Sequence, residues 1–377
     1  MSPIYLDNAA TTRLAPEVFE AMLPYLKEDY GNPSAAHQMG SRAKGAIEAA
    51  RREMSACLHG GAGDIYFTSS GTEAGNWAFK GVLVPHQIQH IITSPIEHPA
   101  VLRTVAHIGQ GQGIPHHFVK VGKKGDVDYE DLATLLKSKP KALVSLMHGH
   151  NELGNLTNIA RVGELCQQHG ALFHTDIVQT LGCVKLDLKT LPVDLATASA
   201  HKLHGPKGVG MLYVRGGIRL APHLHGGAQE KGARAGTENV AAIVGFAKAL
   251  AMAYDNHDQY RSHLLELKAA LIQQIRHDLP QVAFTGSSAT AESLPHILHL
   301  TLPGHVDGET LILNLSMRGL YAAAGAACSS GATSRSHVAE ALGIPPTRAL
   351  LRLSTSRYTT HEEVNRAVAC LREVIGH

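Results

Sequence analysis

The sequence shows no strong charge imbalance, no secretory-signal pattern in its first residues and no long apolar run, and each absence argues against a class of protein. Its 377 residues carry 34 Lys and Arg against 32 Asp and Glu, with no basic run that would indicate a nucleic-acid or membrane surface. We therefore expect a small direct substrate and no direct contact with nucleic acid. The N-terminus, MSPIYLDNAATT, has no basic stretch before an apolar core, and no apolar run approaches membrane-spanning length. These features predict a cytoplasmic protein.

The sequence also lacks paired cysteine spacing and metal-binding motifs. Its cysteines are scattered, which fits neither a disulfide framework nor a zinc site: they are Cys57, Cys166, Cys183, Cys328 and Cys370. Reduced thiols are expected, one of which can be chemically active. The 25 histidines include close pairs at 86/90, 116/117 and 148/150, but none forms HExxH or a Cys/His finger. We predict no metal site.

What is present is an alternation of short apolar runs with helical patterns. The predicted strands are Ile65–Thr68, Ile91–Ser94, Ala142–Met147, Ala171–His174, Val193–Ala198 and Val209–Val214. Several are apolar throughout, as expected for strands covered on both faces. The pattern predicts an α/β fold with a mostly parallel sheet. A helical period resumes from Val240, and fewer strand signals follow. We predict a large domain over 15–258 and a smaller α+β domain from 1–14 and 259–377.

Polar residues follow the predicted strands at the edge where ligands bind in open α/β sheets. Ser69-Ser70-Gly71-Thr72-Glu73 follows the first strand and opens a helix, which predicts either an anion site or only a helix cap. The later strand ends carry Glu97-His98, Asn151-Glu152, Asp176 with Gln179, and Ser199-Ala200-His201-Lys202. Asp176 alone could cap a helix, and Lys202 alone could be solvated. Together they indicate one site.

A phosphate site, a lysine and a carboxylate are what pyridoxal phosphate requires. A lysine forms a Schiff base with its aldehyde, and a carboxylate keeps the ring nitrogen protonated. Two lysines are available, and position favours Lys202, directly after the strand, over Lys207 in a Gly/Pro turn. The stretch Gly205-Pro206-Lys207-Gly208-Val209-Gly210 has the wrong glycine order for a dinucleotide-binding motif.

The chain resembles the cysteine desulfurases, class V aminotransferases that share the type I fold of pyridoxal-phosphate enzymes, and the likeness runs nearly end to end. The matching stretches are YLDNAATT at 5–12, YGNPSAAH at 30–37, FTSSGTEAGN at 67–76, EHPAV at 97–101, HNELG at 150–154, HTDIVQT at 174–180, SAHKLHGPKG at 199–208, RAGTEN at 234–239, GAACSSG at 325–331 and RLSTSRYTT at 352–360. Ten motifs in order are far more specific than any one of them.

The resemblance implies a role for each residue at the strand ends. It gives Lys202 as the cofactor lysine, Asp176 as partner of the ring nitrogen, and His98 as the stacked ring and proton shuttle. It places Gln179 near the phenolic oxygen and the following residues around the phosphate: Gly71, Thr72, Ser199 and His201. The resemblance also implies that Asn151 and Arg357 contact the substrate. The planar guanidinium of Arg357 can bind a carboxylate through two parallel hydrogen bonds. Thr237 would reach the phosphate of a neighbouring subunit, which implies a homodimer.

The resemblance also assigns the sulfur acceptor, Cys328, which lies in a stretch of small residues typical of a loop. The implied reaction converts L-cysteine to L-alanine and leaves the sulfur on Cys328 as a persulfide. The Cys328–Arg357 spacing resembles the long-loop branch, which passes the persulfide to acceptor proteins for iron–sulfur cluster assembly, tRNA thiolation or DNA sulfur modification.

Two alternatives stay open from the sequence. Another class V enzyme, such as an aminotransferase or a selenocysteine lyase, would keep Lys202, Asp176 and His98 without needing Cys328. A non-catalytic sulfur-relay scaffold of the same fold would tolerate the loss of Lys202.

Overall fold

The computed structural model describes residues 2–60, 65–324 and 336–375. Its strands are β1 (Ile4–Tyr5), β2 (Ile65–Thr68), β3 (His90–Thr93), β4 (His116–Phe118), β5 (Ala142–Ser145), β6 (Leu172–Asp176), β7 (Leu195–Ser199), β8 (Gly210–Val214), β9 (Ala283–Phe284), β10 (Ile297–Thr301), β11 (Leu320–Tyr321), β12 (Ala323–Ala324) and β13 (Leu350–Ser354). Its α-helices are α1 (Pro16–Lys27), α2 (Gln38–Leu58), α3 (Gly71–Leu83), α4 (Pro99–Gln112), α5 (Tyr129–Ser138), α6 (Ile159–Gln168), α7 (Val240–Asp255), α8 (His257–Asp278), α9 (Gly308–Met317), α10 (His337–Ala341) and α11 (His361–Ile375).

The central sheet has seven strands in the order β2-β8-β7-β6-β5-β3-β4. Strands β7 to β4 run parallel, and β8 is antiparallel to both of its neighbours. Successive residues of a strand face opposite sides, so Leu143 and Val144 of β5 enter two different apolar clusters. One cluster contains side chains of α1, α2 and α5–α7, and the other those of α3 and α4. The predicted α/β fold with a mostly parallel sheet is confirmed.

The apolar runs located the strands well. All six predicted strands are present, with ends displaced by no more than two residues. The sequence prediction missed β4, a three-residue strand at the sheet edge. Two of its residues are histidines and its Phe118 is 47% exposed, so it lacks the apolar pattern of a covered strand.

A second sheet forms beyond α7, with four strands in the order β12-β13-β10-β9. Its apolar cluster joins side chains of α8, α9 and α11 with Ile4 and Leu6 from the start of the chain. The limits at 14 and 258 stay a prediction. Within the described residues, no helix is both long and apolar enough to cross a membrane.

The N-terminal segment connects the two sheets. β1 pairs in parallel with β11, and Asp7 forms a bridge with Ser354 at the end of β13. A few residues later, the backbone N–H of Thr12 donates to the oxygen of His201, directly after β7. Residues 9–12 therefore lie against the carboxyl ends of the central strands, where the predicted site residues are found.

Candidate active site

A cavity of about 350 Å³ opens at the carboxyl ends of the parallel strands. This volume lies at the lower end of the range of small-molecule pockets, ~300–1,000 Å³. Nine of the predicted site residues line it together: Gly71, Thr72, His98, Asn151, Asp176, Gln179, Ser199, His201 and Lys202. Segments distant in sequence therefore meet in one place.

Lys202 ends the 3₁₀ turn that follows β7 and faces this cavity. Its Nζ donates to the backbone oxygens of Ala9 and Ala10, each at 2.7 Å. Desolvation and, second, the positive charge of Arg352 lower the pKa of Lys202 to about 8. About a tenth of such amines are neutral at pH 7, which suits a nucleophile or a base. Lys207, the alternative, is exposed.

Asp176 ends β6 and faces the same cavity. Its Oδ1 accepts the N–H of Val178 at 2.8 Å, within the turn after the strand. Desolvation raises the pKa of Asp176 to about 6, against that N–H and the charge of Lys202, which both lower it. Most molecules therefore carry an ionised Asp176 at pH 7, and the cavity holds a carboxylate suited to a cationic ring nitrogen.

His98 caps the N-terminus of α4 at the mouth of the cavity. Its Nδ1 accepts the N–H of Ala100 at 3.1 Å, which assigns the ring hydrogen to Nε2. Desolvation and then the positive charges of Lys202 and His337 lower the pKa of His98, so the ring is neutral near pH 7. His98 can therefore offer a ring face and an Nε2–H donor to this cavity.

The start of α3 forms another wall of the cavity. Ser70 Oγ caps the helix by accepting the N–H of Glu73 at 3.1 Å, while Gly71 and Thr72 line the cavity. The first N–H groups of a helix have no partner within the helix and favour an anion. The helix-cap interpretation is confirmed, and the anion site stays a prediction. Ser199 and His201 adjoin this wall from the end of β7.

The two arginines of the RLSTSRYTT stretch lie in different places. Arg352, on β13, lines the cavity of Lys202, and its guanidinium donates to Asp7 Oδ1 and to the backbone oxygen of Asn151, each at 2.8 Å. Arg357 lines an adjacent cavity of about 80 Å³ that shares Lys202 and Gln179. Its Nε and Nη2 are buried and find no hydrogen-bond partner among the described residues. Sequence reasoning missed Arg352, although the same motif contains it.

Thr237 is a predicted residue that lines neither of these two cavities. Thr237 lines a separate cavity near the start of α7, together with Glu230 and Arg234. Cys328 lies outside the described residues. Before residues 325–335, Ala323 pairs with Arg352, which lines the cavity; after them, Ser336 Oγ donates to Glu152 at 3.2 Å.

Histidine pairs occur elsewhere on the sheet. His90 on β3 and His117 on β4 are hydrogen-bonded at 3.2 Å. Over residues 2–60, 65–324 and 336–375, no three His, Cys, Asp or Glu side chains are grouped so as to hold a metal ion.

Comparison with known proteins identifies the family to which the chain is similar. The profile described as aminotransferase class-V matches residues 4–367. The cysteine desulfurase IscS of Methanosarcina thermophila is 40% identical over 99% of this chain and 92% of its own, and that of Clostridium botulinum is 38% identical over 99% and 94%. A solved NifS-like protein superposes with a TM-score of 0.91, at 35% identity over 99% of both chains. The chain therefore belongs to the cysteine desulfurases of the class-V aminotransferase family.

Proposed function

We propose that this chain removes the sulfur of L-cysteine with pyridoxal 5'-phosphate, releases L-alanine and carries the sulfur on Cys328. The observation that supports this best is the meeting of Lys202, Asp176 and the start of α3 in one cavity. We infer the substrate and the reaction from the relatives named cysteine desulfurase.

The residues of the cavity fit the cofactor. Lys202 would hold its aldehyde carbon, Asp176 its ring nitrogen, His98 one face of the ring, and Gln179 its phenolic oxygen. Thr72, with Gly71, Ser199 and His201, would hold its phosphate. A side chain at Gly71 would narrow the cavity at the start of α3, because a Cβ there would lie 3.1 Å from Val178 Cγ2. When bound, the cofactor withdraws electrons from the substrate's α-carbon.

The chain's own residues then handle binding and proton transfer. Lys202 Nζ takes the α-proton, which its lowered pKa of about 8 allows near neutral pH. His98 acts as a hydrogen-bond donor through its Nε2–H. Asn151 and an arginine fix the substrate carboxylate. Arg352 is better placed than Arg357 for that task, because it lines the same cavity as Lys202 and Asn151.

Cys328 acts as the sulfur acceptor. Its thiolate attacks the substrate sulfur, the bond from that sulfur to carbon breaks, and the carbon skeleton takes up a proton and leaves as alanine. The sulfur stays on Cys328 as a persulfide. Cys328 follows Ala324 by four residues in the sequence, and Ala323 pairs with Arg352, which lines the cavity.

The persulfide then passes to an acceptor protein, for iron–sulfur cluster assembly, tRNA thiolation or DNA sulfur modification. The name IscS of two relatives favours cluster assembly. The working enzyme is a cytoplasmic homodimer in which Thr237 contacts the phosphate bound by the partner. Sedimentation of the loaded enzyme checks the dimer, and Thr237→Ala should weaken cofactor retention without changing the fold.

Purified protein with L-cysteine and a reductant should release sulfide and alanine in equal amounts. Cys328→Ala should abolish sulfide release, and Lys202→Ala should abolish the visible absorbance of the bound cofactor. Alanine formation that requires an added keto acid, or sulfide release that survives Cys328→Ala, would identify a different class V enzyme. A wild-type protein that stays colourless after reconstitution would favour a scaffold.

A further inference from the structure

A line of three side chains leads from the cavity of Lys202 into the adjacent smaller cavity: Gln179, His296 and Cys183. Gln179 Nε2 donates to the backbone oxygen of Ala9 at 2.9 Å. On its other side, Gln179 Oε1 lies 3.3 Å from His296 Nε2, and His296 Nδ1 lies 3.5 Å from Cys183 Sγ. Gln179 lines both cavities, while His296 and Cys183 line the smaller one.

The hydrogen positions along this line follow from one fixed point. The carbonyl of Ala9 can only accept, so the NH₂ group of Gln179 must face it and Oε1 must face His296. The His296 hydrogen then resides on Nε2, and Nδ1 is an acceptor. Cys183 completes the order by donating its S–H to Nδ1. Each group thereby dictates the orientation of the next.

The surroundings preserve these protonation states. Desolvation lowers the pKa of His296 to about 3, and the nearby positive charges of Lys268, Arg352 and Lys202 act in the same direction. Desolvation raises the pKa of Cys183 to about 12, although Arg261 and Lys268 oppose it. The ring therefore stays neutral and the thiol stays protonated across the neutral range.

We propose that Cys183 and His296 are positioning residues that hold the Gln179 amide with its N–H side toward the ligand in the cavity. One amide hydrogen is used by Ala9, and the second is left for an anionic oxygen. This inference rests on the proposed function, in which that oxygen is the phenolic oxygen of the cofactor. Without the Cys183–His296 pair, the amide would keep the Ala9 contact on its NH₂ side but lose the donor that holds its oxygen.

The first test is the pH at which the visible band of the cofactor-loaded protein changes wavelength. A donor favours the state with more negative charge on the phenolic oxygen, so its loss raises that pH. His296→Leu and Gln179→Ala should raise it by about 0.5–1 pH unit, and Cys183→Ala by less. Cys183→Ser keeps a donor and should match the wild type. If the pH midpoint of the visible band is unchanged in His296→Leu but shifts in Gln179→Ala, the positioning role of His296 and Cys183 is wrong. The proposed function would remain intact.

The second test needs no cofactor. Nitrogen-15 NMR of the apoprotein, with His296→Leu for assignment, should show the hydrogen on Nε2 in wild type and in Cys183→Ser. In Cys183→Ala, part of the population should move to the Nδ1–H tautomer. The proposal would be refuted if the wild-type His296 ring carried its hydrogen on Nδ1, or if Cys183→Ala left the tautomer unchanged. This outcome does not depend on cofactor binding. Cys183 would then be only a small, half-buried side chain.

Discussion

The protonation of Lys202 depends on two neighbours of opposite charge. Desolvation lowers its pKa to about 8, while Arg352 lowers it further and Asp176 raises it. Because only the neutral amine attacks an aldehyde, capture of pyridoxal phosphate by the apoprotein should accelerate about tenfold per pH unit below 8 and level off above it. Arg352→Gln should move the midpoint upward, and Asp176→Asn downward. Stopped-flow absorbance measures the rate. Lys207→Ala is the matched control, and a wild-type midpoint near 10 would contradict the assignment.

The two arginines of one motif can be separated by kinetics. Arg352 already holds Asp7 and the Asn151 backbone beside Lys202, and its buried Nε has no partner among the described residues, so a substrate carboxylate would complete its contacts. Arg352→Lys keeps the charge but loses the planar fork, and we expect KM for L-cysteine to rise about tenfold or more, equivalent to ~1.4 kcal/mol. Arg357→Lys should raise KM less than about threefold. The reverse order would assign the carboxylate to Arg357, as the sequence resemblance predicts.

At the scale of elements, the sequence located the central strands because their apolar runs are long enough to stand out. The polar residues after those runs could also be predicted to meet, since parallel strands end at one edge. β4 was missed because a three-residue edge strand carries little periodic signal. The place of Arg352 depends on the register of β13 with its neighbours, and the Cys183–His296 contact joins residues 113 apart. Neither leaves a local pattern in the sequence.

The start of α3 depends on a glycine in the neighbouring strand. A Cβ at Gly210 would lie 2.4 Å from the backbone carbon of Ser70, so Gly210→Ala must displace the turn that opens the helix. We expect a loss of about 1–3 kcal/mol in the free energy of unfolding and at least tenfold weaker cofactor binding. Urea denaturation and absorbance titration measure the two effects. Gly75→Ala, within α3 and with open space, should instead be neutral or stabilising by up to ~1 kcal/mol. Equal cofactor affinity in both variants would exclude this role for the turn.

At the scale of the whole molecule, the first twelve residues connect the second sheet to Lys202. Leu6 is completely buried in the cluster of α8, α9 and α11, and its backbone exchanges hydrogen bonds with Tyr321 and Ser354. Ala9 and Ala10 then supply the oxygens that hold Lys202 Nζ. The position of Lys202 Nζ therefore depends on the contacts that Leu6 makes with Tyr321 and Ser354.

Removing residues 2–6 should disturb the cofactor site although none of them lines its cavity. The deletion eliminates β1 and the burial of Leu6, so the backbone at 9–10 loses its anchor, and the apparent Kd for pyridoxal phosphate should rise at least tenfold. Far-UV circular dichroism should remain near that of the wild type, because the central sheet keeps its own apolar clusters. Tyr5→Phe removes only the exposed hydrogen bond to Thr11 and serves as the control. Unchanged cofactor affinity in the deletion would show that residues 9–12 are held by the central sheet alone, through the contacts of Thr12 with His201.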